Sequence, residues 1–327
     1  MNAPKTIRTL YARIIVHFQS MPCSQWKPIE KNGADELHNR AKTTNKLAFV
    51  KASPLLNVRH EATLFTKASQ AYEICGNSVS SAKCKKREAY IHGRQLHRSD
   101  QAALLYHEAA RTLCTKVQSA SSEAERLYDL ALTEYCETHR YHLAGRVEDQ
   151  RAEMRQAATS SRESVDVDGI VKAYESASIY YRADGRIDQA NFVDEIRARM
   201  LGTIPSRYEE AALIYGELSK AKSMKNLTKT DSRNQLLKAG LLLLASGWSQ
   251  SALEEKLREV CSDSTVILLH SFDQSRQFQF LQNIAASIEV KDLDVFADHI
   301  YFYDDVEPLD PWSLNLLEVM VEKIKKG

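Results

Sequence analysis

The sequence predicts an all-α protein, and its composition and a recurring helical pattern are the main reasons. The 327 residues include only 11 glycines and 7 prolines. Residues that favour helices, such as Ala, Leu, Glu, Lys and Arg, are abundant, whereas many-stranded sheets need more turn residues. The longest apolar run, Leu241–Ala245, is far short of the roughly 20 residues that a membrane span needs. A helical protein without a membrane span is therefore expected.

A repeated pattern of an acid, a small residue, and then Tyr and Ala at helical spacing predicts paired helices. It occurs in Asp100–Leu113, Ser122–Tyr135, Asp168–Tyr181 and Arg207–Leu218. Second helices are predicted between these copies, at Tyr141–Ala158 and Gly185–Leu201. Tyr128, Tyr174 and Tyr215 recur after 46 and 41 residues, somewhat longer than the tetratricopeptide repeat of about 34 residues. The pattern predicts a tetratricopeptide-like helical-hairpin solenoid, in which each hairpin buries its Ala/Tyr stripe against its neighbours.

After about residue 235, larger side chains replace the Ala/Tyr pattern and predict a C-terminal helical bundle that caps the solenoid. Gln235–Cys261 is predicted to form a helix pair, and Gln277–Lys326 further helices. The predicted core residues of this bundle are Phe278, Phe280, Leu281, Ile284, Ile288, Phe296, Ile300, Phe302, Trp312, Leu316, Leu317 and Met320. The predicted domains are 1–33 (N-terminal helix and apolar loop), 34–234 (solenoid) and 235–327 (bundle).

The sequence contains no motif that predicts catalysis. It has no phosphate-binding glycine loop, H-E-x-x-H or G-x-S-x-G motif. His139 and His142 share a helical face but have no accompanying ligand set, and Asp304 and Asp305 belong to an acidic cluster. Six scattered cysteines predict buried thiols rather than disulfides. We therefore predict no enzyme, no metal site and no cofactor.

Charge is distributed unevenly along the chain. Residues 1–100 have 17 Lys and Arg against 7 Asp and Glu, and residues 101–327 have 27 against 36, so the two parts carry +10 and −9. The basic run SAKCKKREAY (Ser81–Tyr90) is predicted as a loop before a helix, and either a solvated face or a binding patch explains it. No nucleic-acid module accompanies it, so no nucleic-acid partner is predicted.

The N-terminal stretch FQSMPCSQWKP places bulky apolar side chains in a loop-like setting. Phe18, Met21 and Trp26 lie beside Lys27 and Lys31, a combination that binds anionic lipid surfaces reversibly. Either these residues contact a membrane, or Trp26 packs under the first repeat.

Two C-terminal segments carry a resemblance to a known family. VDVDGIVKAYESASIYYRADGRIDQA has an aspartate-initiated helix followed by a short turn and a second helix, and FADHIYFYDDVEPLDPWSLNLLEVMVEKI contains Tyr303, Asp304, Asp310 and Trp312 in order. Together with the predicted solenoid, they resemble the soluble NSF attachment proteins, the SNAP family. The resemblance is clearest over Asp168–Lys326. WKP and RYEEAAL are more similar to its gamma branch than to its alpha branch.

The resemblance implies a cytoplasmic adaptor that is peripheral at membranes. It implies binding of the four-helix SNARE bundle, formed by syntaxin-type and other SNAREs, recruitment of the hexameric ATPase NSF for SNARE disassembly, and membrane contact through Phe18, Met21 and Trp26. The implied SNARE-binding residues are Arg140, Arg146, Arg186, Arg197 and Arg199. Phe192 and Ile196 depart from the family's basic positions.

The implied ATPase contact lies in an acidic C-terminal segment. Its predicted residues are Glu289, Asp292, Asp294, Asp298, Asp304 and Asp305. The sequence ends at KIKKG, without the acidic, leucine-containing tail typical of the alpha branch, so the resemblance implies binding of the ATPase but not its stimulation. The alternative is a generic helical-repeat scaffold that binds another helix or peptide.

Overall fold

A computed structural model confirms the all-α prediction. It describes residues 33–40, 42, 54–116, 121–159, 166–224, 229–261 and 272–326. All the regular secondary structure in these residues is helical. None of the described helices is both long and apolar enough to cross a membrane. The chain forms an N-terminal unit, Met1–Val147, and a C-terminal unit, Glu148–Gly327. The domain limits expected from the sequence pattern stay a prediction.

The N-terminal unit is built from helices, and those between Pro54 and Glu137 pack on their neighbours in the sequence, as predicted for helical hairpins. A short helix over 33–40 precedes them. The helices are α1 (Pro54–Ile74), α2 (Ser78–Tyr90), α3 (Ser99–Lys116), α4 (Ser121–Glu137) and α5 (Tyr141–Thr159), and the limit between the units lies within α5.

The predicted Ala/Tyr stripe of α4 forms part of the core. Its members, Ala124, Leu127, Tyr128, Ala131 and Tyr135, are all buried. Burying a large apolar side chain stabilises the fold by roughly 1.5–3 kcal/mol relative to leaving it exposed. The small alanines let a neighbouring helix approach, so the stripe is suited to packing between helices.

The basic run differs from its prediction, because it lies within helix α2 rather than in a loop. Asn77 caps the helix by accepting a hydrogen bond from the backbone N–H of Ser80 at 3.2 Å. The following Ala, Lys, Arg and Glu residues favour a helix, and Cys84 and Ala89 bury one side of it. A five-residue π-helical turn, Ile91–Gln95, continues α2.

The C-terminal unit contains the remaining helices. They are α6 (Val167–Ala183), α7 (Ile187–Leu201), α8 (Tyr208–Met224), α9 (Lys229–Ser246), α10 (Gln250–Cys261), α11 (Arg276–Val290), α12 (Leu293–Asp304) and α13 (Pro311–Lys326). A left-handed residue at Gly185 turns the chain between α6 and α7, which is a conformation that glycine adopts without strain.

Helix α9 is the centre of this unit. It packs against α8, α10, α11 and α13, and its leucines from Leu241 to Leu244 are all buried. A helix that is apolar on every side must be surrounded by other helices. The absence of a side chain at Gly240 lets α9 approach α11, because a β-carbon there would collide with Leu281.

Helix α13 is held to the unit by Trp312. Its indole N–H donates to the backbone carbonyl of Arg199 at 3.1 Å, and its ring lies 5.6 Å from that of Tyr215. A β-carbon on Gly202 would collide with the indole, so glycine is required there for the two elements to approach. The C-terminal helices therefore share one core with α8 and α9.

Of the large residues predicted for the C-terminal core, all but Phe302 contribute to it. The Phe302 side chain is 64% exposed. Successive helical residues are separated by about 100°, so the aromatic run Tyr301–Tyr303 cannot face one side. Tyr303 points inward and stacks on Phe280 with ring centroids 4.2 Å apart, which leaves Phe302 on the outer side.

Candidate functional site

The six predicted ATPase-binding residues lie together at the end of α11, along α12 and in the turn that follows. We call this set the C-terminal acidic surface: Glu289, Asp292, Asp294, Asp298, Asp304 and Asp305. A left-handed residue, Lys291, ends α11 and reverses the chain into α12. These carboxylates are therefore close together because they are close in sequence, and no contact between distant elements is needed.

Three of these carboxylates take part in the local fold. Asp292 caps α12 by accepting hydrogen bonds from the N–H groups of Asp294 and Val295, both at 3.1 Å. Asp304 accepts from the N–H of Leu309 at 2.7 Å. Glu289 accepts from the N–H of Gln250, the first residue of α10, at 2.8 Å. These three carboxylates therefore interact partly with backbone N–H groups at helix ends and turns, which would otherwise lack a hydrogen-bond partner.

The other three carboxylates, those of Asp294, Asp298 and Asp305, are exposed. Within the described part of the chain they have no ion pair. Asp294 and Asp298 are four residues apart and so share one face of α12. Exposed charges of one sign with no internal counterion are available to a basic partner.

Sequence reasoning missed two aromatic residues beside these carboxylates. Tyr301 is 68% exposed, and its ring meets that of Phe302 edge to face at 5.8 Å. Phe302 is one helical turn beyond Asp298, so apolar and acidic groups are adjacent on the outer side of α12. The uninterrupted aromatic run Tyr301–Tyr303 is the signal that identifies them, because at least one member must face outward.

Several residues that carry the family resemblance have structural roles. Tyr303 is buried, and burial together with Glu307 raises the pKa of its phenol. Asp310 pairs with Lys238 at 2.8 Å and caps α13 through the N–H of Ser313 at 2.7 Å. Burial alone would raise the pKa of Asp310, but the hydrogen bonds from Lys238 and Ser313 outweigh it and lower that pKa.

Two of the predicted SNARE-binding arginines belong to the N-terminal unit. Arg140 is exposed just before α5, with its guanidinium 3.6 Å from the carboxylate of Asp100. Arg146 is exposed on α5. Burial, Asp100 and Glu108 raise the pKa of Tyr135 to about 12, and the positive charge of Arg146 opposes this shift. Arg140 thus contacts one of the carboxylates that raise the pKa of Tyr135, and Arg146 carries the positive charge that lowers it.

The other three predicted arginines belong to the C-terminal unit. Arg186 is exposed before α7 and pairs with Asp184 at 3.0 Å, and Arg199 is exposed and lies 3.7 Å from Glu195. Arg197 is only 16% exposed and contacts Glu175 at 3.1 Å. Because Arg197 joins α6 to α7 internally, Arg186 and Arg199 are the more accessible of the three.

The predicted membrane residues Phe18, Met21 and Trp26 lie outside the described residues. Among the residues that are described, no group of three or more His, Cys, Asp or Glu side chains is placed to hold a metal ion.

The helical hairpins define the class of the protein as an all-α helical-repeat protein. Comparison with known families agrees: the model described as "Soluble NSF attachment protein, SNAP" matches residues 33–326. The chain therefore belongs to the soluble NSF attachment protein family, which confirms the resemblance.

Individual relatives are distant. A probable vesicular-fusion protein sec17 homolog of Schizosaccharomyces pombe is 27% identical over 81% of this chain and 86% of its own length. An alpha-soluble NSF attachment protein of Vitis vinifera is 24% identical, with 80% of this chain and 87% of its own covered. The vesicular-fusion protein SEC17 of Komagataella phaffii is 24% identical over 85% of this chain and 89% of its own length. The similarity to the gamma branch stays a prediction.

Proposed function

We propose that this protein is an adaptor that binds assembled SNARE complexes and recruits the hexameric ATPase NSF for their disassembly in vesicle trafficking. The family match across residues 33–326 carries this proposal. The printed names of the relatives, vesicular-fusion protein and NSF attachment protein, support it. In this role the chain supplies surfaces that position two partners, and the chemistry of ATP hydrolysis belongs to the ATPase.

The ATPase contact is proposed at the C-terminal acidic surface. The exposed carboxylates of Asp294, Asp298 and Asp305 would attract a basic domain, and complementary charge raises both association rate and specificity. Tyr301 and Phe302 add apolar area next to them, and buried aromatic residues often contribute most to an interface.

The SNARE contact is proposed at the arginines. Arg140, Arg146, Arg186 and Arg199 are exposed and suit an acidic helical bundle. Arg197 is proposed to support this contact by fixing α7 against α6, because its own guanidinium is paired with Glu175.

The membrane contact is proposed at Phe18, Met21 and Trp26, with the protein in the cytoplasm and peripheral at the membrane. Each aromatic side chain that enters the interface gains roughly 1.5–3 kcal/mol, which gives reversible binding. Replacing all three residues with Ser is expected to weaken flotation with anionic liposomes while leaving the circular dichroism spectrum unchanged. Unaltered flotation of the variant would exclude this contact.

The experiment that tests the adaptor function is reconstitution with purified SNARE complex and NSF-type ATPase. The ATPase should associate with immobilised SNARE complex only when this protein is present, and adding ATP should release the individual SNAREs. If this protein binds SNARE complex without recruiting the ATPase, or binds neither, the generic scaffold that recognises another helix or peptide becomes the better explanation.

A further inference from the structure

A cavity in the N-terminal unit has no part in the adaptor function proposed above. It has a volume of about 380 Å³ and lies among α2, its π-helical turn, α3 and α4. The lining residues are Lys83, Lys86, Arg87, Tyr90, Arg94, Tyr106, Leu130 and Glu134. Neither Arg140 nor Arg146 is among them. We call this cavity the basic groove, and its volume is in the range of small-molecule sites.

The lining has an excess of positive charge that the fold only partly neutralises. Lys86 pairs with Glu123 at 2.5 Å and Arg87 with Glu61 at 3.5 Å. Lys83 and Arg94 are both exposed, and neither has an ion pair among the described residues. By contrast, the neighbouring Lys85, which does not line the groove, contacts two carboxylates. Two lining cations, Lys83 and Arg94, therefore have no ion pair, and the Glu134 carboxylate of the same lining offsets part of their charge.

Lys83 and Arg94 lie on the same side of α2 and its π-helical turn. Lys83, Arg87, Tyr90 and Arg94 are spaced by three or four residues, so they follow a single stripe along α2 and its π-helical turn. Gly93 lets this turn approach α4, because a β-carbon there would come within 3.1 Å of the Glu134 carboxylate. Single π-helical turns within α-helices are frequent at functional sites.

The other lining groups narrow the chemistry of a ligand. The guanidinium of Arg87 lies over the ring of Tyr90 at 5.1 Å, which holds both side chains in place. The carboxylate of Glu134 is nearly buried at the wall, and an ionised carboxylate accepts hydrogen bonds from hydroxyl groups but repels phosphates. Lysine and arginine together are typical phosphate-binding residues.

We propose that the basic groove binds a phosphorylated polyol of the inositol phosphate class, with its phosphates on Lys83 and Arg94 and a free hydroxyl on Glu134. Such a ligand has both the anionic groups and the hydroxyl groups that the lining requires. It could be a free metabolite or the headgroup of a lipid, since both present the same chemistry. Tyr90 and Leu130 would cover the carbon ring.

The first test is isothermal titration calorimetry of the 327-residue chain with inositol trisphosphate, together with sedimentation with vesicles that contain phosphatidylinositol bisphosphate. Vesicles with phosphatidylserine at equal total charge are the lipid control. The double variant Lys83→Glu and Arg94→Glu should lower affinity at least about tenfold. The matched variant Arg59→Glu and Lys172→Glu changes the charge equally at exposed positions outside the groove and should bind as the wild type does.

The two ligand sources give different results. Binding of the trisphosphate in solution assigns the groove to a soluble ligand, and preference for bisphosphate vesicles without binding of the free trisphosphate assigns it to a lipid headgroup. Absence of both from the wild-type protein would overturn the proposal. Equal weakening by the matched variant would also overturn it, because the attraction would then be non-specific.

A second variant separates ligand recognition from folding. Glu134→Gln removes a negative charge, so the affinity for pyrophosphate should rise. The affinity for inositol trisphosphate relative to pyrophosphate should fall about fivefold, because the amide is a weaker acceptor for the ligand hydroxyl. A parallel rise for both ligands would contradict the role assigned to Glu134, and with it the choice of a polyol.

Discussion

The predicted SNARE-binding arginines and the C-terminal acidic surface differ in whether their charges are paired within the protein. Arg140, Arg186, Arg197 and Arg199 each lie within 4 Å of a carboxylate. In the described part of the chain, the exposed carboxylates of Asp294, Asp298 and Asp305 have no such counterion. Of the five predicted arginines, only Arg146 has no ion pair among the described residues, so the arginines are largely paired and these carboxylates are not.

This difference indicates which region should be more sensitive to substitution. A partner that binds a paired arginine must compete with the internal carboxylate, so part of the interaction free energy is offset. A partner that binds an unpaired aspartate has no internal pair to replace. Exposed ion pairs are also worth only about 0–1 kcal/mol each, so several must act together.

The largest expected effect is on ATPase recruitment by the acidic surface. Changing Asp294, Asp298 and Asp305 together to Lys should weaken ATPase binding about a hundredfold, at roughly 1 kcal/mol for each charge. Pull-down titration at low ionic strength measures it. A control variant with Glu137, Glu153 and Glu255 changed to Lys has the same change in net charge at exposed sites elsewhere. Equal loss in both variants would mean that total charge, rather than this surface, determines recruitment.

A smaller effect is expected at the arginines of the N-terminal unit. Reversing Arg140 and Arg146 to Glu should lower the affinity for assembled SNARE complex about tenfold at low salt, and less near 0.5 M salt because the charges are screened. Binding titrations at several salt concentrations test this. The arginine variant could instead lose more affinity for SNARE complex than the triple aspartate variant loses for the ATPase. Internal pairing would then not be what limits the contribution of the arginines.

The aromatic pair on α12 should contribute less than the acidic residues. Changing Tyr301 and Phe302 to Ser should weaken ATPase binding roughly fivefold with little change in salt dependence, because the lost contact is apolar. Both side chains are exposed, so the melting temperature should be unchanged. A large fall in melting temperature would show that these residues belong to the core after all.

The smallest effect concerns the paired acid Asp310, and it should appear in stability rather than binding. Replacing Asp310 with Asn removes its ion pair with Lys238 and should lower the free energy of unfolding by about 1 kcal/mol at pH 7. The pKa of Asp310 is lower in the folded protein. Its stabilising contribution is therefore complete above the unfolded-state pKa of about 4, and it is lost as the pH falls through the folded-state value.

Chemical denaturation of the wild type and Asp310→Asn between pH 7 and pH 3 tests this linkage. The difference between the two proteins should shrink below about pH 4. A difference that stays constant over this range would show that the contribution of Asp310 to stability does not depend on its charge.

The sequence pattern predicted the helical hairpins because their signal is local. The Ala/Tyr stripe of α4 repeats at helical spacing, and burial of Tyr128, Tyr174 and Tyr215 follows from it. The prediction that the basic run forms a loop was wrong. Its lysines and arginines suggested a loop, whereas Cys84 and Ala89 within it are buried and stabilise one face of α2. The exposure of Phe302 was also missed, since a run of aromatic residues does not indicate which of them faces inward.

By itself, the sequence determined the helical class, the family and the clustering of acids near the C-terminus, because helical periodicity and short-range spacing are encoded within a few turns. Only the tertiary structure decided which charges are free. Asp310 and Arg197 are paired through contacts with other helices, and the basic groove requires three helices to meet. Charge pairing and cavities depend on packing between residues that are distant in sequence. The helical periodicity of a sequence does not tell which of these distant residues come into contact.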